Sequence, residues 1–317
     1  MMTSEDFSRR TDPFRRELLV HCYRMLGSVH DAEDLVQETM LRAWRAFDQY
    51  DEKRASLRTW LYRIATNACL SALKKDSRRP LPSGMVAPGE DPTLPLKPGH
   101  EVSWLQPIPD EMLDPATVLA SRGSLRLALI AAMQLLPARQ RAILILREVL
   151  GLPAAEVAEM LETSTAAVNS GLQRARARLG DVTLAEDSLG EPSSARDREV
   201  LDRYVAAFEG ADLEALKRLL ADEAILEMPP FLNWYVGADA YTRFIARVFE
   251  MRGTDWKLLP AAANGQPAVA AYARADDGVY RLHTLQVFAV EGSRISRNVV
   301  FMDAEVFTLF GLAPQLS

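Results

Sequence analysis

Residues 31–75 read DAEDLVQETMLRAWRAFDQYDEKRASLRTWLYRIATNACLSALKK and decide the fold of the first part of the chain. Apolar residues recur there at three- and four-residue intervals, as they do on the buried face of an amphipathic helix. The pattern predicts two helices joined by a short polar loop at residues 48–56. The predicted buried residues are Ala32, Leu35, Val36, Ala43, Trp44 and Phe47 in the first helix and Leu57, Leu61, Ile64, Ala65, Ala68 and Ala72 in the second.

The exposed face of the second predicted helix combines aromatic, basic and amide side chains. An aromatic ring can stack on an unpaired base, an amide can hydrogen-bond to a base edge, and cations hold phosphates. The pattern alone fits both a contact with opened DNA and an ordinary solvated helix face. The candidate DNA-contacting residues are Trp60, Arg63, Asn67, Ser71 and Lys74.

The segments DAEDLVQETMLRAW and SLRTWLYRIATNACLSALKK resemble, in residue order and spacing, the second conserved region of bacterial sigma factors. The resemblance is to the extracytoplasmic-function (ECF) subfamily of the sigma-70 family. It implies that the following loop holds a base flipped out of the −10 element, that Asn67 reads a base, and that Arg63 and Lys74 contact phosphates. It also implies docking of the first helix on the clamp helices of the largest RNA polymerase subunit. The implied polymerase-binding residues are Asp34, Leu35, Gln37 and Glu38.

Residues 125–179 show the pattern of a four-helix module that ends in a helix-turn-helix. A predicted turn at residues 162–164 precedes a helix with a buried apolar line and an exposed polar and basic face. Such a face suits a recognition helix in the major groove of DNA. The candidate recognition residues are Thr165, Asn169, Ser170, Gln173, Arg174 and Arg176.

This module also carries a resemblance. The segment is LPARQRAILILREVLGLPAAEVAEMLETSTAAVNSGLQRARARL, which is similar to the fourth conserved region of sigma factors, the reader of the −35 element. Many relatives have a basic residue on each side of the serine in the last helix, whereas this chain has Asn169 and Gly171. We therefore expect a weaker or altered −35 contact. Taken alone, the module also fits a helix-turn-helix repressor.

Residues 80–120 are rich in proline and acidic side chains and lack helical periodicity, which predicts an extended linker. In sigma factors the equivalent linker runs toward the active-site and RNA-exit channels of polymerase; plain disorder is the alternative. Residues 104–113 are too apolar for a flexible spacer and resemble a tryptophan-leucine-proline linker motif of sigma factors with a C-terminal extension. We expect them to dock on a surface through Trp104, Leu105 and Pro107.

Residues 196–317 have predicted helices followed by alternating segments, an order that indicates an α+β domain with an antiparallel sheet. The order and the phrase EMPPFLNWYVGADAY resemble a SnoaL-like domain of the nuclear transport factor 2-like fold, a cone with an apolar pocket. The hairpin signals are Asn264-Gly265, Asp277-Gly278 and Glu291-Gly292.

The candidate pocket residues of this domain are Tyr204, Glu227 and His283, with His283 on the same strand face as Leu285 and Val287. A carboxylate or histidine in an apolar cone can abstract a proton beside a carbonyl, as in polyketide cyclases and steroid isomerases. Nothing in the sequence fixes a catalytic pair. We therefore expect a regulatory or ligand-sensing domain rather than an enzyme.

The net charge of −6 is distributed unevenly. It is +3 for residues 1–79, −3 for 80–136, +2 for 137–179 and −8 for 180–317. Only the two segments expected to touch DNA are positive, and only mildly. Counterion release therefore predicts weak binding to DNA by this chain alone, as befits a protein that needs polymerase at promoters.

No apolar run approaches the length of a membrane span, and the N-terminal residues lack an apolar signal segment. These features predict a cytoplasmic protein without membrane insertion. Cys22 and Cys69 lie within apolar helical patterns, and two isolated cysteines indicate neither a zinc site nor a disulfide framework. We expect no metal and no cofactor.

The combined interpretation is a multidomain sigma factor with two all-α modules and a C-terminal α+β domain. Its predicted function is to bind core RNA polymerase and direct promoter recognition, local DNA melting and transcription initiation, under regulation by the SnoaL-like domain. A small-molecule ligand or an anti-sigma protein is a further candidate partner. The alternatives are a DNA-binding regulator independent of polymerase, or a transcription factor with an isomerase- or cyclase-like C-terminal enzyme. The predicted domains are 1–79 (sigma region 2), 80–120 (linker), 121–180 (sigma region 4), 181–195 (linker) and 196–317 (SnoaL-like).

Overall fold

The chain forms two compact units in a computed structural model that describes residues 3–74, 79–113, 123–180 and 195–316. Within these residues, no helix is long and apolar enough to cross a membrane. The predicted linker at 181–195 lies, except for Ala195, outside the described residues. The first unit comprises Met1–Arg79, Leu105–Pro107 and Glu111–Ala185, and the second comprises Pro80–Trp104, Ile108–Asp110 and Glu186–Ser317.

Four helices form the N-terminal part of the first unit. The hydroxyls of Ser28 and Ser56 accept hydrogen bonds from the backbone N–H groups of Asp31 and Thr59, satisfying donors that the first helical turn leaves open. Gly27 adopts φ 71°, a left-handed conformation that ends one helix and turns the chain into the next. The helices are α1 (Ser4–Thr11), α2 (Arg15–Leu26), α3 (Val29–Ala46) and α4 (Leu57–Ala72).

The second half of this unit contains four helices between residues 127 and 179, in the pattern predicted for a helix-turn-helix module. The hydroxyl of Ser164 accepts a hydrogen bond from the N–H of Ala167 and begins the last helix. The helices are α5 (Leu127–Gln134), α6 (Ala138–Leu144, continued by a π-helical turn at Ile145–Val149), α7 (Ala154–Met160) and α8 (Thr165–Leu179).

A buried arginine joins the two halves of the first unit. Arg141 of α6 is 1% exposed, and its guanidinium donates to the backbone carbonyl of Met25 at the end of α2. It also donates to the side-chain and backbone oxygens of Gln134, at 2.6 and 2.9 Å, and to the carbonyl of Leu136. A buried cation is tolerated where such donors are satisfied. This network fixes α5 and α6 against α2.

The second unit packs helices against one sheet, which confirms the predicted α+β class. Tyr204, Phe208, Phe249 and Trp256 belong to its apolar core, where Phe208 meets Phe249 and Trp256 edge to face. The helices are α9 (Ala195–Glu209), α10 (Leu213–Leu219), α11 (Ala238–Arg252) and α12 (Ala304–Leu309). The strands are β1 (Leu220–Glu227), β2 (Trp234–Val236), β3 (Trp256–Ala263), β4 (Gln266–Arg274), β5 (Tyr280–Glu291), β6 (Arg294–Phe301) and β7 (Gln315–Leu316).

The sheet has the order β2-β1-β6-β5-β4-β3, with β7 paired to β5. The three hairpin turns predicted from the sequence are confirmed, because each joins two strands that pair in antiparallel fashion. The expectation of a purely antiparallel sheet was wrong for one pair, since β1 and β6 are parallel. Parallel neighbours need a long crossover, and here the whole segment between residues 228 and 293 connects them.

Residues 80–104 differ from the extended linker that the sequence predicts, because they pack on the C-terminal unit as part of it. The N–H of Gly89 donates to the carbonyl of Trp234 at 2.8 Å, and the Trp234 indole donates to the carbonyl of Val86 at 2.8 Å. The N–H of Lys97 donates to Oδ1 of Asn233 at 2.6 Å. Proline-rich backbone thus finds partners for its remaining donors and acceptors on the domain surface.

Candidate functional site

The predicted polymerase-docking face lies on α3. Asp34 and Gln37 are exposed there, whereas Leu35 and Glu38 are half-buried. Residues three and four positions apart share one side of a helix, so the two carboxylates and the amide form one face. Glu38 also accepts a hydrogen bond from Arg42 at 2.7 Å, an exposed pair one helical turn away.

Trp44, at the other end of α3, departs from the prediction that it faces the core. It is 39% exposed and meets Phe7 of α1 edge to face, with 5.2 Å between ring centroids. The ring of Phe7 is therefore the neighbour that covers part of Trp44, and the rest of the indole faces solvent.

The predicted −10 residues Trp60, Arg63 and Asn67 line one cavity of about 480 Å³ in the first unit. Trp60 and Asn67 are half-buried in its wall, and Arg63 is exposed at its rim. The cavity also includes residues from the loop before α4, which the sequence resemblance assigns to a flipped base. The other lining residues are Arg42, Ala46, Gln49, Tyr50, Asp51, Arg54, Ala55, Ile64 and Glu159.

Aromatic rings hold Trp60 in place. Its centroid lies 5.0 Å from that of Tyr50, with 37° between the ring planes, and 5.9 Å from that of Phe47, which it meets edge to face. Packing from two sides leaves the indole few rotamers. A base entering this cavity would meet an aromatic surface that is already positioned.

The other two predicted −10 residues lie outside this cavity. The Ser71 hydroxyl donates to the backbone carbonyl of Asn67 at 2.8 Å, so its proton is used within α4. Lys74 is exposed beyond the end of α4. Lys74 therefore does not line the cavity, and its contact with a phosphate stays a prediction.

Two features of the cavity were missed in the sequence analysis. Tyr50 could have been identified from the sequence, because it is an aromatic residue in the loop assigned to a flipped base. Glu159 could not have been identified in this way. It comes from α7, about ninety residues further along the chain, and only tertiary packing brings it to the cavity. It places a carboxylate in a wall that also holds Arg42, Arg54 and Arg63.

The six predicted recognition residues all lie on the exposed side of α8. Arg174 donates to the Ser170 hydroxyl at 2.5 Å, and Arg176 pairs with Glu148 at 2.7 Å. Both cations are thus oriented by neighbours and still reach solvent. Thr165, Asn169, Ser170, Gln173, Arg174 and Arg176 form one polar and basic surface suited to a major groove.

The two departures from the usual basic pattern in this helix are not equivalent. Asn169 is exposed on the recognition face, whereas Gly171 is buried against α6. A Cβ atom built at Gly171 would lie 2.6 Å from Cδ1 of Ile143. The expectation that both positions remove charge from the DNA-facing surface is therefore wrong for Gly171.

The three predicted docking residues fall in different environments. The Trp104 indole donates to the carbonyl of Gly99 at 3.0 Å within the C-terminal unit, and a Cβ on Gly99 would lie 2.6 Å from that ring. Leu105 is 1% exposed and lies beside Gly27 in the first unit. Pro107 is also buried.

Gln106, between these residues, binds the junction of α2 and α3. Its N–H donates to the carbonyl of Gly27 at 3.0 Å, and its side-chain oxygen accepts from the N–H of Val29 at 3.1 Å. The Tyr23 hydroxyl donates to its carbonyl at 2.8 Å. Two residues further along, the N–H of Ile108 donates to Oδ1 of Asn264 at 2.9 Å, and the N–H of Asn264 donates to the carbonyl of Ile108 within the C-terminal unit.

The C-terminal unit holds an apolar cavity of about 150 Å³. Of the three predicted pocket residues, His283 lines it, whereas Tyr204 and Glu227 are not among its lining residues. Glu227 is fully buried, with one carboxylate oxygen accepting from the N–H of Ser83 at 2.9 Å and the other from Arg297 at 2.8 Å. A carboxylate with both oxygens so occupied is poorly placed to take a proton from a ligand.

Tyr204 belongs to a buried polar network beside the cavity. Its hydroxyl donates to Oε1 of Gln286 at 2.9 Å and lies 3.2 Å from the hydroxyl of Tyr241. Asn298 donates to both the Tyr241 hydroxyl and Gln286 Oε1. Burial raises the pKa of Tyr204 and raises that of Tyr241 to about 12, so both remain neutral hydrogen-bonding groups.

A β-bulge corrects the predicted face of His283. Leu282 pairs with Tyr272 and Thr284 pairs with Ala271, so His283 is the extra residue in β5. The bulge brings His283 to the cavity together with Thr284. Leu285 and Val287, which were expected on the same face as His283, are buried away from the cavity.

His283 has the electrostatics of a neutral ring. Burial, and after it the positive charge of Arg252, lower its pKa to about 4. A general base works best with a pKa near the operating pH, so this imidazole is a weak base at neutral pH.

Three family models match this sequence: Sigma-70 region 2 over residues 12–79, Sigma-70 region 4 over 126–179 and a SnoaL-like domain over 201–298. The ECF RNA polymerase sigma factor SigG of Mycobacterium tuberculosis is 50% identical over 316 residues, covering 98% of this chain and 85% of that protein. The chain belongs to the ECF family of RNA polymerase sigma factors. Sigma factors bind core RNA polymerase and promoter DNA, and this one is a transcription factor rather than an enzyme.

Another member of the family has the same domain arrangement as this sigma factor. The ECF sigma factor SigJ of Mycobacterium tuberculosis is 29% identical over 253 residues, covering 76% of this chain and 73% of that protein. Its crystal structure covers 96% of this chain and 99% of its own with a TM-score of 0.68, at 23% identity. The shared fold therefore includes the C-terminal α+β unit of this sigma factor.

Proposed function

We propose that this sigma factor opens and reads the −10 element in the cavity beside α4, reads the −35 element with α8, and is regulated in cis by its C-terminal unit. The observation that carries the proposal is the set of Trp60, Arg63 and Asn67 around one cavity. It supplies a stacking surface, a cation and an amide within reach of a single extruded base. A solvated helix face has no need of such a concave arrangement.

The same proposal assigns polymerase binding to the exposed face of α3. Asp34, Leu35, Gln37 and Glu38 combine acidic, amide and apolar groups on one side of the helix. Polar groups around a partly buried leucine resemble the rim and centre of a protein interface. The weak positive charge of the DNA-facing segments fits a factor that reaches promoters as part of a larger assembly.

Regulation by the C-terminal unit is supported by how the linker is held. Residues 80–104 belong to that unit, and residues 105–107 belong to the helical unit. A change in how the C-terminal unit holds residues 80–104 can therefore be transmitted along the chain to residues 105–107, which bind the junction of α2 and α3. Such a connection operates at high effective concentration, so weak contacts suffice. The effector is either a small molecule or an anti-sigma protein.

The regulatory proposal is tested best by releasing the linker without deleting the domain. Arg247 donates to the carbonyl of Pro92 at 3.1 Å and also to that of Leu94. Arg247→Ala should change promoter-specific transcription at equal holoenzyme concentration, because it frees the segment before residue 105. Arg294→Ala is the matched control, since Arg294 forms an exposed ion pair with Asp222 in the same unit. Equal activity of both variants and the wild type would contradict regulation through the linker.

A further inference from the structure

The cavity in the C-terminal unit has the lining of a site for an apolar molecule. Phe208, Phe244, Trp256 and Val300 form much of its wall and lie in the core of the unit. Its volume is about 150 Å³. An apolar protein cavity of roughly 150 Å³ stays dry and takes up a benzene-sized molecule.

Among the described residues, four polar or charged ones line this cavity: Arg252, His283, Thr284 and Gln286. Gln286 is already engaged, because its amide donates to Thr284 at 3.4 Å and its Oε1 accepts from Tyr204 and Asn298. His283 and Arg252 both line it, and the charge of Arg252 acts on His283. Arg252 is exposed and therefore marks the mouth, whereas His283 is half-buried. A guanidinium only donates hydrogen bonds, so the group that fits beside it is an acceptor oxygen. A ring system with a single carbonyl or carboxylate matches this combination of apolar wall and donor.

Leu96 of the proline-rich segment covers part of the same cavity. It is half-buried, lines the cavity and packs against the core of the unit. The chain on either side is held by hydrogen bonds from Arg247 to the carbonyl of Leu94 and from the N–H of Lys97 to Asn233. A β-bridge between Pro98 and Phe231 adds two backbone bonds, from Leu232 to the carbonyl of Lys97 and from Gly99 to the carbonyl of Pro230, each at 2.8 Å. All these anchors are hydrogen bonds, so bonds to water replace them when the segment lifts.

We propose that this cavity binds a small fused-ring or monocyclic molecule that carries one acceptor oxygen, and that Leu96 is a lid which the bound molecule displaces. The ring occupies the apolar wall, the oxygen accepts from Arg252, and Leu96 leaves its place. The lifted segment leads directly to the residues that bind the junction of α2 and α3. The inference deepens the proposed regulation in cis and rests on it for its consequence in transcription.

Binding is tested on the full-length protein with two matched probes, 1-indanone and indane, by ligand-observed saturation-transfer NMR. Only 1-indanone carries a carbonyl that can accept from Arg252, so we expect it to bind more tightly than indane. Arg252→Leu should remove this difference in affinity. Val248→Phe narrows the cavity from a half-buried position and should abolish binding of both probes. Equal binding by the wild type and Val248→Phe, with the variant folded, would overturn the site.

The lid is tested by the same probe. Leu96→Ala should lower the dissociation constant of 1-indanone by roughly fivefold, because less apolar surface has to be displaced. Hydrogen exchange at the amides of Lys97 and Gly99 should speed up when 1-indanone is added, whereas exchange at Ala271 in β4 should not change. Slower or unchanged exchange at Lys97 and Gly99, or weaker binding by Leu96→Ala, would overturn the lid.

The binding and exchange measurements contain no polymerase, so they separate this inference from the regulatory proposal. One possible result is that 1-indanone binds and speeds exchange at Lys97 and Gly99 but leaves transcription unchanged. That result would support the site and contradict regulation in cis. The opposite result is also informative. If Arg247→Ala changes transcription as expected but neither probe binds, the proposed site is contradicted and regulation in cis is not.

Discussion

The side chain of Glu159, from α7, lines the same cavity as the amide of Asn67, from α4. In the proposed function these halves of the unit read the −10 and −35 elements, whose positions lie roughly 25 base pairs apart, or about 85 Å along B-form DNA at ~3.4 Å per base pair. Both modules cannot read one promoter while α7 lies at the −10 cavity. We therefore propose that promoter binding requires the two halves of the helical unit to separate, and that Glu159 competes with DNA phosphates for the neighbouring cation of Arg63.

The first prediction tests this competition. Glu159→Gln should increase the affinity of the free protein for single-stranded −10 DNA by roughly threefold, because it removes a negative charge from the cavity wall. Fluorescence anisotropy with a labelled oligonucleotide measures the change. Glu156→Gln, on the same helix but outside the cavity lining, is the control. Equal effects from both substitutions would mean that net charge, rather than the position of Glu159, decides the affinity.

The second prediction concerns base reading. Asn67→Ala should weaken binding to a matched −10 element by about 1–3 kcal/mol relative to a mutated element, the usual worth of a specific base contact. Lys74→Ala should weaken binding to all sequences by a similar factor, because phosphates carry no sequence information. Holoenzyme binding to matched and mutated promoters is the measurement. A uniform loss for Asn67→Ala would reassign this amide to packing or phosphate contact.

The third prediction separates the two unusual positions of the recognition helix. Asn169→Lys adds a cation on the exposed face, so it should strengthen −35 binding and make the slope of log K against log salt steeper by about 0.9. Gly171→Lys should bring no such gain, because its Cβ would lie 2.6 Å from Cδ1 of Ile143. It should instead lower the melting temperature. A steeper salt slope for Gly171→Lys would place this residue on the DNA-facing surface.

The fourth prediction is a pH dependence of stability. His21 is fully buried, with Nε2 2.9 Å from the Thr66 hydroxyl. Burial, followed by the charge of Arg24, lowers its pKa to about 3. Below about pH 6.5 the unfolded chain binds a proton that the folded chain does not, so the free energy of unfolding falls as the pH falls, by about 1.4 kcal/mol per unit toward pH 3.

The measurement compares the wild type with His21→Leu by denaturant titration between pH 7 and pH 4.5. The variant loses the bond to Thr66 and should be less stable at pH 7, but its stability should fall less steeply with acidification. Parallel pH profiles of the two proteins would show that His21 is not the source of the acid sensitivity.

The helices and their exposed faces were predictable from the sequence because their signals are local. The periodicity of apolar residues predicted α3 and α4. The positions outside the apolar stripes gave the exposed candidate residues, which are Asp34 on α3 and Trp60, Arg63 and Asn67 on α4. The hairpin turns were equally local, since Asn264-Gly265 needs only its own backbone preferences. These features depend on neighbours within a few positions.

Features that depend on distant contacts were not predictable. Glu159 reaches the predicted −10 cavity only through packing of the two helical halves, and the same packing buries the charged side chain of Arg141. His283 changes face because of one extra residue in β5. Proline-rich composition favoured a free linker at residues 80–104, but the surface of the C-terminal unit supplies its hydrogen-bond partners.

The central claim, that the α3 face brings core RNA polymerase to promoters, is tested most directly by run-off transcription with core enzyme on genomic promoter fragments. The test variant is Asp34→Lys with Glu38→Lys, and the control reverses the exposed Glu5 and Asp12 outside this face. The account predicts defined start sites with the wild type and the control, and loss of both transcripts and core co-purification with the test variant. Transcription from the same start sites by the test variant, at wild-type levels, would contradict it.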